Sequence, residues 1–333
     1  MSFVKRAGIT AGVLAGVAGT VYAAQRLTAA RLRGNPDGEA RKALDTPLYV
    51  DRTLDTHDRG SLYLVEHGEP TDPAIVLSHG VTLSVRTWFH QLDDLPKQGF
   101  RTIAFDHRGH GKSVLGEEGH SIENLAKDVK TVVEGLDLHD AVLVGHSMGG
   151  VAVQAFVIQY PEIARERIAG IVLLSTLAHT PLGSRSTQTR AKLERLTKRV
   201  PNTQRIWESK NLGFVLSRLG FGRDPHPSHV ELVRRMMADC TTETRHLAPR
   251  TLVGLDLTPD LPKVDIPTLV IGGTADMITP PSEAKRIANL IPGARLLLMP
   301  DGGHMLMLEQ AEALNEVIAD FAREVRSSKH SAA

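Results

Sequence analysis

This chain has little of several things, and each shortage narrows what it can be. It has one cysteine, Cys240, so no intramolecular disulfide is possible and cysteine usage says nothing about its compartment. Aromatic residues make up 4% of its 333 residues and the formal net charge is only +1. A nucleic-acid-binding surface is therefore not suggested. No His/Cys/Asp cluster has zinc-binding spacing, and His226 and His229, with Pro227 between them, read as a loop. No metal or organic cofactor is expected. There is no internal repeat. The one long apolar run lies at the N-terminus, residues 7–24, eighteen positions without a charge after Lys5 and Arg6. As a helix it would extend about 27 Å, close to the roughly 30 Å of a bilayer core. It is expected to associate the protein with a membrane. A signal cleaved after Val21-Tyr22-Ala23, leaving a secreted protein, is the alternative. Arg26, Arg31 and Arg33 follow it, so basic residues flank both ends and leave the topology open.

What is present is most concentrated at Gly145-His146-Ser147-Met148-Gly149. An apolar strand-like run, Ala141 to Val144, precedes it and a helix-like run, Gly150 to Tyr160, follows. A serine at such an apex is exposed beside a helix N-terminus, and the flanking glycines leave room for the turn. A serine hydroxyl becomes nucleophilic only when a histidine takes its proton and a carboxylate orients that histidine. Asp276 follows the strand Pro267 to Ile271, and His304 follows the strand Arg295 to Met299 within Gly302-Gly303-His304. The order Ser147, Asp276, His304 suits a strand-loop architecture. Asp301 is a rival acid but reads as a turn residue, and Ser282 reads as the cap of a helix from Glu283 to Ile291. Upstream, the strand Ala74 to Ser78 ends in His79-Gly80-Val81. The amides of Val81 and Met148 are the candidates to hold an oxyanion, and His79 reads as a brace for that loop.

Alternating strand and helix signals from Leu48 to Leu138 argue for an α/β fold with a mostly parallel sheet flanked by helices. The alternation stops after a sixth strand, Ile168 to Ser175, and residues 178–262 read as a helical lid over the site. Helices are expected at Ser186–Val200, Arg205–Leu219 and Pro227–Ala238. The predicted organisation is thus an N-terminal segment (1–33), a linker (34–48), core (49–177), lid (178–262), core (263–326) and a disordered tail (327–333). Seven basic residues between Arg185 and Arg205 read as a solvated face of the lid, and Cys240 lies in the lid with no elbow around it.

Taken together, His79-Gly80, Asp106-His107-Arg108-Gly109-His110-Gly111-Lys112-Ser113, the Ser147 elbow, Asp276 and Gly302-Gly303-His304 resemble the α/β-hydrolase family over about residues 49–326. The elbow Gly-His-Ser-Met-Gly-Gly resembles that of monoacylglycerol lipases and related esterases. The resemblance implies the α/β-hydrolase fold, a structural Asp106–Ser113 loop packed beside the elbow, and a small-molecule acyl ester or lipid as substrate. The serine at the elbow argues against the aspartate-bearing epoxide hydrolases and haloalkane dehalogenases. Val81-Thr82-Leu83, without an aromatic residue beside His-Gly, argues against the cofactor-free haloperoxidase branch. The expected activity is a serine carboxylic-ester hydrolase. A C–C bond hydrolase with the same triad is the alternative, and a non-catalytic receptor of the same fold a distant one.

Overall fold

The computed structural model of the protein describes residues 23–40, 49–180 and 204–332. Among the described residues, eight strands form one sheet: β1 (Val50–Asp55), β2 (Ser61–His67), β3 (Ala74–Ser78), β4 (Arg101–Phe105), β5 (Ala141–His146), β6 (Ile168–Leu174), β7 (Thr268–Gly273) and β8 (Arg295–Met299). Their order is β1-β2-β4-β3-β5-β6-β7-β8. Only the pairings of β2 with β1 and β4 are antiparallel. The central strands β5, β6 and β7 are buried at every position. That is why they read as continuous apolar runs: helices cover both faces of the sheet. The edge strand β1 is mostly exposed and carries Asp51, Arg52 and Asp55, charges that discourage pairing with another chain.

Helices in the described residues are α1 (23–33), α2 (Phe89–Asp94), α3 (Ile122–Gly135), α4 (Met148–Gln159), α5 (Pro161–Arg167), α6 (Gln204–Glu208), α7 (Leu212–Arg218), α8 (Pro227–Asp239), α9 (Thr242–Thr251), α10 (Pro281–Leu290), α11 (Leu306–Glu309) and α12 (Ala311–Ala332). Ser121 caps α3 by accepting a hydrogen bond from the Asn124 amide at 3.0 Å. Below that cap, Leu125, Val129, Val132 and Val133 bury one stripe of the helix. α4 has no polar face because the sheet lies on one side and α3 on the other. One apolar cluster joins α2, α12 and the lid residues Phe214 and Val230, while the second joins α3, α4 and α10.

The helical insertion does follow β6. Its base is closed by a bridge between His179 and Asp256, with the Leu257 amide donating to Ala178 O at 2.8 Å. The helix expected at Arg205–Leu219 is split into α6 and α7, and α9 is an additional helix. Ser186–Val200 and the basic residues from Arg185 to Arg199 lie outside the described residues. The C-terminal tail differs from expectation, because α12 continues to Ala332. Lys329 and His330 pair with Asp140 at 2.9 and 3.0 Å, which ties the last turns to the core despite their polar composition.

The expected membrane association through residues 7–24 is corrected. Among the described residues, no helix is long and apolar enough to cross a membrane. Residues 7–22 lie outside the described residues, and 23–24 open α1, a short charged helix that packs on the protein. Ala29 of α1 is fully buried, and Arg33 donates to Asn211 and stacks over the Phe214 ring of the lid. Beyond it, Asp37 accepts hydrogen bonds from the Ser228 amide and hydroxyl at the start of α8. The part of the linker at 34–40 is therefore docked, and 41–48 lies outside the described residues.

Candidate active site

Ser147 sits between β5 and α4 with φ 52° and ψ −117°. Non-glycine residues rarely occupy this left-handed region. Two contacts force the turn. A Cβ at Gly145 would lie 2.5 Å from Gly149 O, and one at Gly149 would lie 2.2 Å from Ser78 O. The elbow thus packs backbone to backbone against β3. Hydrogen bonds hold Ser147 through its main chain: its amide donates to Leu174 O (3.1 Å), and Thr176 Oγ1 donates to its carbonyl (2.6 Å).

His304 and Asp276 meet across the loops after β8 and β7. His304 Nδ1 donates to Asp276 Oδ2 at 2.9 Å, and both residues are buried. That bond leaves Nε2 as the acceptor nitrogen. Asp276 also accepts from the amides of Ile278 and Thr279, both at 2.8 Å, and from Thr279 Oγ1 at 2.7 Å. Burial alone would raise its pKa, but the bonds from His304 and Thr279 and the histidine's charge outweigh it and hold the carboxyl below its ordinary range. Asp301 lies on an exposed turn at φ 57°, its amide bonded to Thr274 Oγ1. Ser282 does not cap α10: the helix starts at Pro281, with Pro280 as its flanking residue.

The loop after β3 completes this edge of the sheet. A Cβ on Gly80 would lie 3.2 Å from the Ser147 Cβ, so Val81 follows a backbone already in contact with the serine. Met148 is the first residue of α4, where an amide has no intrahelical acceptor. His79 donates through Nδ1 to Gly80 O (2.7 Å) and accepts from the His107 amide (3.0 Å). Burial, with the nearby His110 adding to it, lowers its pKa to about 3. It therefore stands as a neutral brace. Asp106 fixes the same loop by accepting from the Val85 and Lys112 amides, and burial pushes its carboxyl up to about 6. Arg108, fully buried, forks onto Asp128 at 2.6 and 2.7 Å and reaches Asp58 at 3.0 Å.

Two residues escaped the sequence reading. Glu309 accepts from the amides of Gly222, Gly303 and Met305 at 2.6 to 3.1 Å, tying the His304 loop to the lid. The His304 amide itself donates to Gly220 O of the lid at 2.9 Å. His146 donates through Nε2 to the His304 carbonyl at 3.0 Å, and the two rings lie 4.7 Å apart. A glutamate five positions after the histidine was the only local signal for Glu309. For His146 there was none beyond its place in the elbow.

A cavity of about 270 Å³ lies beside these groups rather than over them. It is bounded by Leu83, Val85, Arg86, Phe89, Met236 and Cys240, and none of Ser147, Asp276 and His304 lines it. Burial raises the Cys240 thiol to about 11, which leaves it un-ionised near neutral pH.

A family model described as alpha/beta hydrolase fold matches residues 73–311. The chain belongs to the α/β-hydrolase family. Among curated relatives of this α/β-hydrolase is the bifunctional esterase/perhydrolase DCH of Acinetobacter calcoaceticus. It is 29% identical over 280 residues, covering 80% of this chain and 98% of that one. A non-heme chloroperoxidase of Burkholderia pyrrocinia is 28% identical over 277 residues, covering 80% and 98%. Among solved structures, an esterase from Exiguobacterium antarcticum superposes with a TM-score of 0.71. At 21% identity it covers 82% of this chain and all of that one, and it speaks for the fold alone. Relatives thus divide between esterases and haloperoxidases, and Val81-Thr82-Leu83 does not set this α/β-hydrolase apart from the second group. The expected narrowing to a serine esterase and lipase branch is wider in fact: the family as a whole is what is established.

Proposed function

We propose that this α/β-hydrolase cleaves carboxylic esters through an acyl-enzyme on Ser147. The observation that carries the reading is the buried 2.9 Å bond from His304 Nδ1 to Asp276 Oδ2, on the same sheet edge as a serine held at φ 52°. Ser147 Oγ attacks the acyl carbonyl while His304 Nε2 takes the hydroxyl proton. The amides of Val81 and Met148 donate to the developing oxyanion. His304 then passes its proton to the departing alcohol, and water repeats the sequence to release the acid. Asp276 keeps the imidazole in the tautomer this requires and stabilises its charged form. The bond from Ser147 Oγ to His304 Nε2 that this step needs is expected to form when substrate is bound.

A second reading rests on a relative's printed activity, esterase and perhydrolase in one protein. Hydrogen peroxide in place of water would attack the same acyl-enzyme and release a peracid. A fluorophosphonate probe tests the shared step. Labelling of Ser147, absent in Ser147→Ala, is expected, and an inert serine would overturn both readings. Hydrolysis of p-nitrophenyl esters from acetate to palmitate then ranks acyl length. Peracid formation with added peroxide separates the second reading from the first. Turnover of a ring-cleavage dienoate with none of any ester would replace both by C–C bond hydrolysis.

A further inference from the structure

Glu39, His90 and His229 are far apart in the sequence and meet in the fold. Glu39 lies in the docked segment after α1, His90 in α2 and His229 in α8. One ligand atom from each lies within 4.8 Å of the other two. Both histidines are buried, His229 to 1% exposure. Neither ring nitrogen of His229 has a hydrogen-bond partner among the described residues, nor does the buried Oε2 of Glu39. Orphaned buried polar atoms cost stability unless something pairs them. An orphaned carboxylate oxygen and an orphaned imidazole facing each other beside His90 call for a shared partner.

We propose that Glu39, His90 and His229 bind a divalent transition metal of the zinc class, which staples the N-terminal segment and lid helix α8 to core helix α2. The donor set decides the class. Two imidazoles and a carboxylate suit zinc and its neighbours, whereas calcium and magnesium want oxygen ligands throughout. Tetrahedral coordination with bonds of about 2.0–2.1 Å needs donor spacings of about 3.4 Å. With the donor atoms within 4.8 Å of one another, binding would draw the three side chains together. Surrounding groups are compatible. The Phe89 ring lies 4.0 Å from His90 and 5.7 Å from His229, giving the site an apolar wall. His226 and Asp37 stand next outward, and Asp37 is already engaged with Ser228. The cluster shares no residue with Ser147, Asp276 and His304, so its role is architectural: the ion would fix how the lid sits.

The test uses the full-length, tag-free protein stripped with chelator and titrated with zinc chloride by calorimetry. Cobalt(II) absorption serves as a second, spectroscopic readout. One equivalent should bind, with the intense visible bands of four-coordinate cobalt. Losing an outer-shell partner typically weakens metal binding ten- to a hundredfold, so Glu39→Gln and His229→Gln should each cost at least about tenfold. Zinc should raise the melting temperature of the wild type and leave that of Glu39→Gln unchanged. Glu39 lies outside the apolar core, so its variant keeps the fold should His229→Gln fail to. The absence of stoichiometric binding overturns the proposal. So does binding that survives both substitutions, which would place the ion elsewhere, for example at exposed His57 and Glu118 beside Asp58.

Discussion

Ser147, His304 and Asp276 should behave as one unit. Ser147→Ala removes the covalent route and is expected to cut ester turnover by up to roughly 10⁶-fold, with His304→Ala nearly as damaging and the double variant little worse. Asp276→Asn should cost on the order of 10⁴, because the amide leaves His304 in the wrong tautomer. Steady-state kinetics checks this. Multiplicative losses, or a crippled Asp301→Asn beside an active Asp276→Asn, would break the assignment. The pairing of His304 with Asp276 and the turn at Ser147 were legible because each residue stands in a local pattern: a strand, then a glycine-flanked turn or loop. Glu309 and His146 were not, since what they do depends on Gly222 and His304, which no spacing rule connects to them. Glu39, His90 and His229 were illegible for the same reason, and a search for zinc motifs, which are local, passes over them.

Elements were read well where burial is two-sided. β3, β5, β6 and β7 announce themselves as apolar runs, and the structure places them within a residue or two. The lid was harder. α6 and α7 read as one helix because the break at Ser209 to Asn211 leaves helix-compatible residues on either side. α12 was cut short because its last turn is polar, although Lys329 and His330 are held by Asp140. The contact of β3 with α4 gives a prediction at this scale. Gly149→Ala would place a methyl group 2.2 Å from Ser78 O, a backbone atom that cannot swing away. Overpacking of this kind costs about 1–3 kcal/mol. A lower thermal midpoint together with lost turnover is expected, since the strain falls on the elbow itself. An unchanged midpoint would show that α4 can slide off the sheet.

At the scale of the whole molecule, several histidines of the described residues are buried and held neutral. Burial, the leading cause at each, lowers His79 and His120 to about 3 and His110 to about 4, and drives His107 and His146 well down. In the unfolded chain these rings take up protons near pH 6.5, while the folded ones refuse them. Their stabilising contribution is therefore present above about pH 6.5 and lost as pH falls toward 4, each ring costing up to about 1.4 kcal/mol per pH unit. Asp106 works in the opposite direction. With its folded pKa raised to about 6, its contribution is present below about pH 4 and is lost as pH rises through 6. Asp128 and Glu309, which burial also raises, act as Asp106 does, and these three carboxyls do not offset five imidazoles. The urea midpoint should accordingly drop between about pH 7.5 and about pH 5 with an unchanged slope. A midpoint that holds or rises would mean that the imidazoles are not buried as neutral rings.

The turn at Ser147 bears on how this sequence could drift. A non-glycine residue in its left-handed conformation costs on the order of 1–3 kcal/mol, and glycine would relieve most of that. Chemistry and folding therefore pull position 147 in opposite directions. In a library screened for abundance alone, glycine should be enriched at 147 over serine and alanine, whereas a screen for turnover should return serine only. Ser147→Gly should unfold later than Ser147→Ala by about 1 kcal/mol or more. If the proposed reaction is what keeps serine there, a lineage freed from it would lose that serine early, and its descendants would be sturdier for it.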